Sequence, residues 1–225
     1  MKCLVTAGPT YEPLDEVRRL TNFSTGRLGS QFAEFLANHG HDVVLLKGAL
    51  STYPTPTGRT IKALSFATTS DLKEHLQSAA DAAAGADAYD AVFHTAAVSD
   101  FRFGQISVRT EAGQLHPVRG GKISSRSGAI IAELLPTEKL IKYLRTWFSK
   151  AWIVGWKYEV DGHRGQVVQK AKEQMTETKI DATVANGPAY GAGFGLVTQK
   201  EEFWHVADSP ALFKCLEELL VSRRG

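Results

Sequence analysis

Short apolar runs without internal alternation recur along this chain, each followed by a segment with helical periodicity, and few folds accommodate that pattern. Val43-Val44-Leu45-Leu46 is apolar at every position, as is most of the opening run from Lys2 to Thr6. A strand covered on both faces reads this way, whereas a strand with one wet face alternates. Leu28, Phe32, Phe35 and Leu36 then recur at the spacing of one helix face; Ser24 or Thr25 offers the N-cap and Gly40 the stop. Ile61–Phe66 predicts a further strand, Ser70-Asp71 opens a helix through Leu72 and Leu76, and Ala91–Thr95 is a strand again. This alternation predicts an α/β fold with a Rossmann-like, doubly wound, mostly parallel sheet.

From Phe101 to Leu135 the character changes. Ile106–Arg109 and Gln114–Val118 flank Glu111-Ala112-Gly113, which predicts a hairpin, and Gly120 to Gly128 is polar and glycine-rich. The segment from about 101 to 128 reads as a hairpin and flap inserted into one domain spanning 1–225. Beyond it, the sequence predicts a strand at Ala129–Leu135 and a helix from Pro136-Thr137-Glu138 through Leu140, Ile141 and Leu144. Strands follow at Trp152–Trp156, Ile180–Ala185 and Glu202–Val206, with helices at Gly165–Met175 and Pro210–Ser222. Tyr11 to Phe23 reads as irregular.

Composition narrows the function classes. A formal net charge of +2 over 225 residues gives no basic stripe of the kind nucleic-acid binders carry. Arg109, Arg119, Lys122 and Arg126 form the one local basic bias, read as a solvated loop or an anion-binding flap. No apolar run approaches the roughly 20 residues that span a bilayer, and the opening run is too short for a secretory signal. The two cysteines, Cys3 and Cys215, and the seven scattered histidines lack metal-ligand spacing. These features predict a cytoplasmic protein without nucleic-acid or membrane partners and without a resident metal.

In an open α/β sheet, ligands bind at the carboxyl ends of the strands. Four clusters of small residues fall there: Ala7-Gly8-Pro9-Thr10, Ala96-Ala97-Val98-Ser99-Asp100, Gly155-Trp156-Lys157 and Asn186-Gly187-Pro188. Each is compatible with a tight turn; their shared edge favours a site. Gly26 and Gly29 precede a helix whose free N–H groups suit an anion. They do not complete G-x-G-x-x-G, and Lys47-Gly48 after the second strand offers no acidic ribose partner, which argues against a nicotinamide site.

Thr6-Ala7-Gly8-Pro9-Thr10, with Glu12, Asp15, Val17-Arg18, Asn22, Ser24-Thr25-Gly26 and Gly29, resembles the opening of phosphopantothenoylcysteine synthetases, T-A-G-P-T-x-E-x-x-D-x-V-R-x-x-x-N-x-S-S-G-x-x-G. Thr25 replaces the second Ser and keeps the hydroxyl. The resemblance continues through Ala96-Ala97-Val98-Ser99-Asp100-Phe101 (A-A-V-A-D-Y/F), Lys122-Ile123, Val154-Gly155-Trp156 with Glu159 (V-G-F-x-x-E) and Val184-Ala185-Asn186 (V-A-N). It implies a ligase of coenzyme A synthesis that joins 4′-phosphopantothenate to cysteine through an acyl-nucleotidate, with CTP or ATP and Mg²⁺. The flavin-dependent decarboxylase half that many relatives carry is not in this sequence, so no flavin is expected.

The resemblance also implies roles. Asn22 would hold the acyl intermediate and Lys122, on a mobile flap, would neutralise the triphosphate. Ala96 and Ala97 would present backbone to the ligands, Asp100 and Trp156 would contact the nucleotide, and Lys170 or Lys172 would reach phosphate. Gly8, Ser24, Thr25, Gly26 and Asn186 complete the expected binding set. Family members are usually homodimers, so a homodimer is expected. The chain departs from the family pattern in an insertion between Asp100 and Lys122, in Ser124-Ser125 where two lysines are usual, and in Thr178 in place of a later lysine. A non-catalytic or repurposed relative that binds nucleotide or a pantothenate-like molecule is the alternative.

Overall fold

The computed structural model describes residues 1–83, 88–118, 120–124, 126, 128–199 and 203–223. Arg119, Ser125 and Glu202, singled out above, lie outside the described residues. Six parallel strands form the heart of one sheet: β1 (Lys2–Ala7), β4 (Asp42–Gly48), β5 (Ile61–Phe66), β6 (Ala91–His94), β10 (Trp152–Tyr158) and β11 (Ala182–Asn186). They lie in the order β11-β10-β6-β1-β4-β5, and antiparallel β12 (Phe194–Thr198) and β13 (Phe203–Val206) extend the β11 edge. The chain winds outward one way from β1 through β4 and β5, and the other way from β6 through β10 and β11. The expected doubly wound sheet is therefore present, and its reversal of direction falls between β1 and β6.

Alternate residues of the central strands feed two cores. Cys3, Val5 and Ala7 of β1, Phe93 of β6 and Trp152 of β10 pack against α1 (Arg27–Asn38) and α5 (Ser209–Ser222). There Phe32 meets Phe93 edge-on with ring centres 4.7 Å apart and Phe213 at 5.1 Å. Leu4, Val92 and Ile153 face the other way, toward α2 (Thr69–Ala82) and α4 (Arg164–Thr178). Burying each such side chain is worth about 1.5–3 kcal/mol, which is why the strands carry no polar alternation.

Several local expectations change. Neither Ser24 nor Thr25 is the N-cap of α1: Gly26, at φ 74°, holds that position and has no side chain to offer. Thr25 Oγ1 instead accepts the Arg27 N–H at 3.3 Å. The stretch from Tyr11 contains a small hairpin, β2 (Tyr11–Pro13) paired with β3 (Arg19–Thr21). The predicted hairpin pairs Ser107–Arg109 with Leu115–Pro117, and β7 (Phe101–Arg109) also pairs with β9 (Ala129–Pro136), so that β8 (Leu115–Pro117), β7 and β9 form a separate three-stranded antiparallel sheet. The helix expected after Pro136 is reduced to a 3₁₀ turn, Leu140–Lys142, and a single α-helical turn, α3 (Leu144–Trp147). Thr137 donates its N–H to the Asp100 carbonyl at 2.9 Å, which holds the chain extended there and delays helix entry.

α1 sits unusually close to the sheet. A Cβ on Gly29 would meet Thr95 Oγ1 at 2.3 Å, Ala7 Cβ at 2.7 Å and the Thr6 carbonyl oxygen at 3.0 Å. Gly29→Ala is accordingly expected to lower the unfolding free energy by about 1–3 kcal/mol. Urea denaturation checks this; an unchanged midpoint would mean that α1 stands off from the sheet.

Candidate functional site

Beyond the ends of β1 and β6 the two chains stay joined. Ala97 N–H donates to the Gly8 carbonyl at 2.9 Å and Thr10 N–H to the Ala97 carbonyl at 3.2 Å. Beneath this join lies a buried polar layer. Thr6 Oγ1 accepts the Ala96 N–H at 3.1 Å and lies 3.0 Å from His94 Nδ1. Thr10 Oγ1 accepts the Ser99 N–H at 2.8 Å, donates to Ser99 Oγ at 3.1 Å and lies 3.3 Å from Thr69 Oγ1. Because Thr6 Oγ1 already accepts a backbone N–H, its proton is free to go to His94 Nδ1, which suits a neutral imidazole.

Gly8 and Gly26 bring the α1 N-terminus against this join. Both have left-handed backbone, φ 84° and 74°, and a Cβ on Gly8 would fall 1.8 Å from Ser51 Oγ. A cleft of about 470 Å³ opens there, lined by Gly8, Ser24, Thr25, Gly26, Thr95 and Ser209 among others. Apart from the Arg27 N–H held by Thr25, the first N–H groups of α1 give it an electropositive end suited to phosphate. Asn22 donates its side-chain amide to the Ala97 and Val98 carbonyls at 3.3 and 3.2 Å, tying the segment before α1 to the loop after β6. Gly8, Asn22, Ser24, Thr25, Gly26, Ala96 and Ala97 thus converge at the switch point.

The other expected residues stand around rather than in this cleft. Asp100 is exposed and ion-paired with Lys139, a partner the sequence did not suggest. Trp156 lies two residues before the end of β10 and Asn186 at the end of β11; buried Trp156 Nε1 and Asn186 Oδ1 have no hydrogen-bond partner among the described residues. Lys170 pairs with Glu159 at 2.6 Å, as does Lys157 at 3.1 Å. Burial pushes the Glu159 carboxyl up, and the two lysines outweigh it to leave it below its ordinary value. Lys172, two residues along α4, lies on a different face of the helix from Lys170. Lys122 is exposed on a segment held against the β2–β3 turn. Ser209, Thr95 and Ser51 were not anticipated: Asp208-Ser209-Pro210 reads as a helix start, and only the sheet order brings that start beside α1.

His94 supplies a pH signature. Burial pushes it down from the ordinary 6.5 to about 4. Between those values the unfolded chain binds the proton and the folded chain does not, so stability falls as pH drops from 6.5 through 4, by up to about 3 kcal/mol. His94→Gln keeps an acceptor for Thr6 without the titration. Its urea-unfolding free energy is expected to change less over that pH window than that of the wild type; equal slopes would contradict the assignment.

Residues 1–211 match the family described as the DNA/pantothenate metabolism flavoprotein C-terminal domain. The coenzyme A biosynthesis bifunctional protein CoaBC of Bacillus subtilis (strain 168) is 32% identical over 197 residues, covering 87% of this chain and 42% of that protein. The chain thus spans less than half the length of that relative. The crystal structure of the DNA/pantothenate metabolism flavoprotein from Streptococcus pneumoniae has the same fold, with a TM-score of 0.85, 24% identity and 99% of each chain covered. A mutant of Cab2 in complex with phosphopantothenate-cysteine shares it at a TM-score of 0.71 and 19% identity, over 99% of this chain and 85% of that one. With its motifs gathered at the switch point and the match extending over nearly its whole length, the chain belongs to the DNA/pantothenate metabolism flavoprotein C-terminal domain family.

Proposed function

We propose that this chain is a phosphopantothenate–cysteine ligase: a nucleoside triphosphate activates the carboxylate of 4′-phosphopantothenate as an acyl-nucleotidate, pyrophosphate leaves, and the cysteine amine then attacks the acyl carbon, losing a proton and expelling the nucleoside monophosphate to form the amide. The observation that carries the reading is the tie between Asn22 and the Ala97–Val98 carbonyls, which draws two separated motifs of the family to one cleft edge. In this reading residues 1–225 act as one ligase domain, with the segment from about 101 to 128 as its flap.

The phosphates lie at the N-terminus of α1, where Gly8 and Gly26 let the backbone approach closely. Ala96 and Ala97 present backbone to the acyl group, with their position fixed from below by Thr6 and Thr10. Asn22 spends its amide protons on two carbonyls in this geometry, so stabilising charge on the intermediate requires that it turn from them toward the acyl oxygen. Lys122 neutralises the departing pyrophosphate from the flap, and Lys170 adds positive charge beside Glu159. Trp156 and Asn186, with their unpaired buried polar atoms, border the nucleotide.

Mg²⁺ fits as a companion of the triphosphate. Among the described residues no three His, Cys, Asp or Glu side chains gather to hold a metal. A phosphate-borne Mg²⁺ needs only one or two protein carboxylates, so the absence of such a cluster does not stand against it. The ion would neutralise phosphate charge. CTP is the nucleotide proposed, on the resemblance to bacterial members. A homodimer is supported by the apolar side chains that the three-stranded sheet leaves exposed, Phe101, Leu115, Ile131 and Leu134.

The test is pyrophosphate release from CTP and, separately, ATP, with 4′-phosphopantothenate, Mg²⁺ and cysteine. Cysteine-dependent amide formation is expected, with Asn22→Asp reducing it by roughly 100-fold, since a carboxylate would face two carbonyl oxygens and lose the donor. A folded wild type that binds nucleotide without turnover would overturn the ligase in favour of the repurposed binder.

A further inference from the structure

Lys122 sits in a short length of chain whose backbone is gripped on both sides by the β2–β3 turn. Glu16 N–H donates to the Gly121 carbonyl at 3.0 Å. Asp15 Oδ2 accepts the Ile123 N–H at 3.1 Å, and Arg18 Nη2 donates to the Ile123 carbonyl at 2.7 Å. Ile123 itself is buried, 8% exposed, while Lys122 between the gripped residues stays exposed. The grip is far from local in sequence, since 108 residues separate Asp15 from Ile123.

Asp15 is the hub of this clasp. Its Oδ1 accepts the Val17 and Arg18 N–H groups at 3.0 and 2.8 Å, which shapes the turn. Its Oδ2 accepts from Arg18 Nε at 3.0 Å, from Arg18 Nη2, and from Ile123. Two oxygens therefore do separate jobs: one makes the turn, the other holds the flap. The side chain has no exposed surface. The Arg18 guanidinium holds the carboxyl well below the usual carboxylate range; burial opposes this and the backbone N–H groups reinforce it, so the clasp is charged at neutral pH.

The hairpin that carries the clasp is anchored at both ends in the switch point. Thr10, just before it, is bonded to Ser99, and Asn22, just after it, is bonded to Ala97 and Val98. A rigid path thus runs from the Ala97 loop through the β2–β3 hairpin to the backbone on either side of Lys122. We propose that Asp15 is a positioning residue: through Ile123 it sets the reach of Lys122 toward the triphosphate and couples the flap to the loop that carries Asn22. The catalytic half of this inference rests on the ligase reading above; the clasp does not.

Asp15→Asn separates the two jobs. The amide oxygen of Asn keeps the turn, while its NH₂ cannot accept from Ile123 or Arg18. Amide hydrogen exchange is expected to speed up by roughly tenfold or more at Ile123, with the core strands unchanged. In the pyrophosphate-release assay kcat is expected to fall by roughly tenfold, with KM for cysteine unchanged. Added to Lys122→Gln, the same substitution should have little further effect, because it acts through the lysine already removed. Unchanged exchange at Ile123 would overturn the clasp. Faster exchange with additive kinetic losses would overturn the positioning role and leave a structural contact. A wild type without turnover would overturn the ligase reading and the catalytic half with it, while the exchange measurement still decides the clasp.

Discussion

The join between the Gly8 and Ala97 loops is the constraint on which the rest of the site depends. Two backbone hydrogen bonds carry the pairing of β1 and β6 past the ends of the strands, to the point where the winding of the sheet reverses. A doubly wound sheet opens a crevice at that point because neighbouring connections leave in opposite directions. Here the crevice is narrowed from one side by α1, which Gly29 lets approach within contact of Ala7 and Thr95. Its floor is set by the join. Asn22, bonded to the Ala97 carbonyl, then inherits its position from the same two bonds.

The buried polar layer under the join explains why the register does not slip. Thr6, Thr10 and Ser99 are almost wholly buried. Each hydrogen bond among them is worth only about 1 kcal/mol net, but an unmade one in this setting would cost about 1–3 kcal/mol. A one-residue shift of β1 against β6 would strand all of these hydroxyls and turn Leu4 and Val5 toward the wrong cores. The polar groups thus contribute alignment, while the aromatic and aliphatic side chains on either face contribute most of the stability. His94 extends the layer, and its burial in neutral form ties that alignment to pH.

Much of this architecture was legible in the sequence, for a physical reason. Unalternating runs such as Val43–Leu46, bounded by turn residues, are what strands covered on both faces carry, and Phe32 with Leu36 marks the helix that covers one of them. Positions that depend on local chemistry were readable too: Gly40 has the positive φ that a helix stop requires. What failed was what long-range contacts decide. The helix expected after Pro136 gave way because Thr137 is held by Asp100, and the Tyr11–Thr21 hairpin, too short to show a period, escaped notice. The clusters around Gly8 and Ala97 could be grouped from the sequence because strand ends share an edge, Gly26 was marked as preceding a helix start, and Asn22 entered only through the family resemblance. Lys139, Ser51 and Ser209 could not, since nothing local to them announces a site. Nor did the sequence show that Asp15 and Arg18 grip the chain beside Lys122.

In the proposed function, nucleoside triphosphate binds where the β1 and β6 loops meet the N-terminus of α1. Amide hydrogen exchange with and without CTP and Mg²⁺ tests that claim most directly, because it reads backbone contact without requiring turnover. The account predicts new protection concentrated in residues 7–10, 24–29 and 95–98, with the helices far from the switch point unchanged. Protection confined to the opposite, amino-terminal edge of the sheet, or none in these three segments at saturating nucleotide, would contradict it.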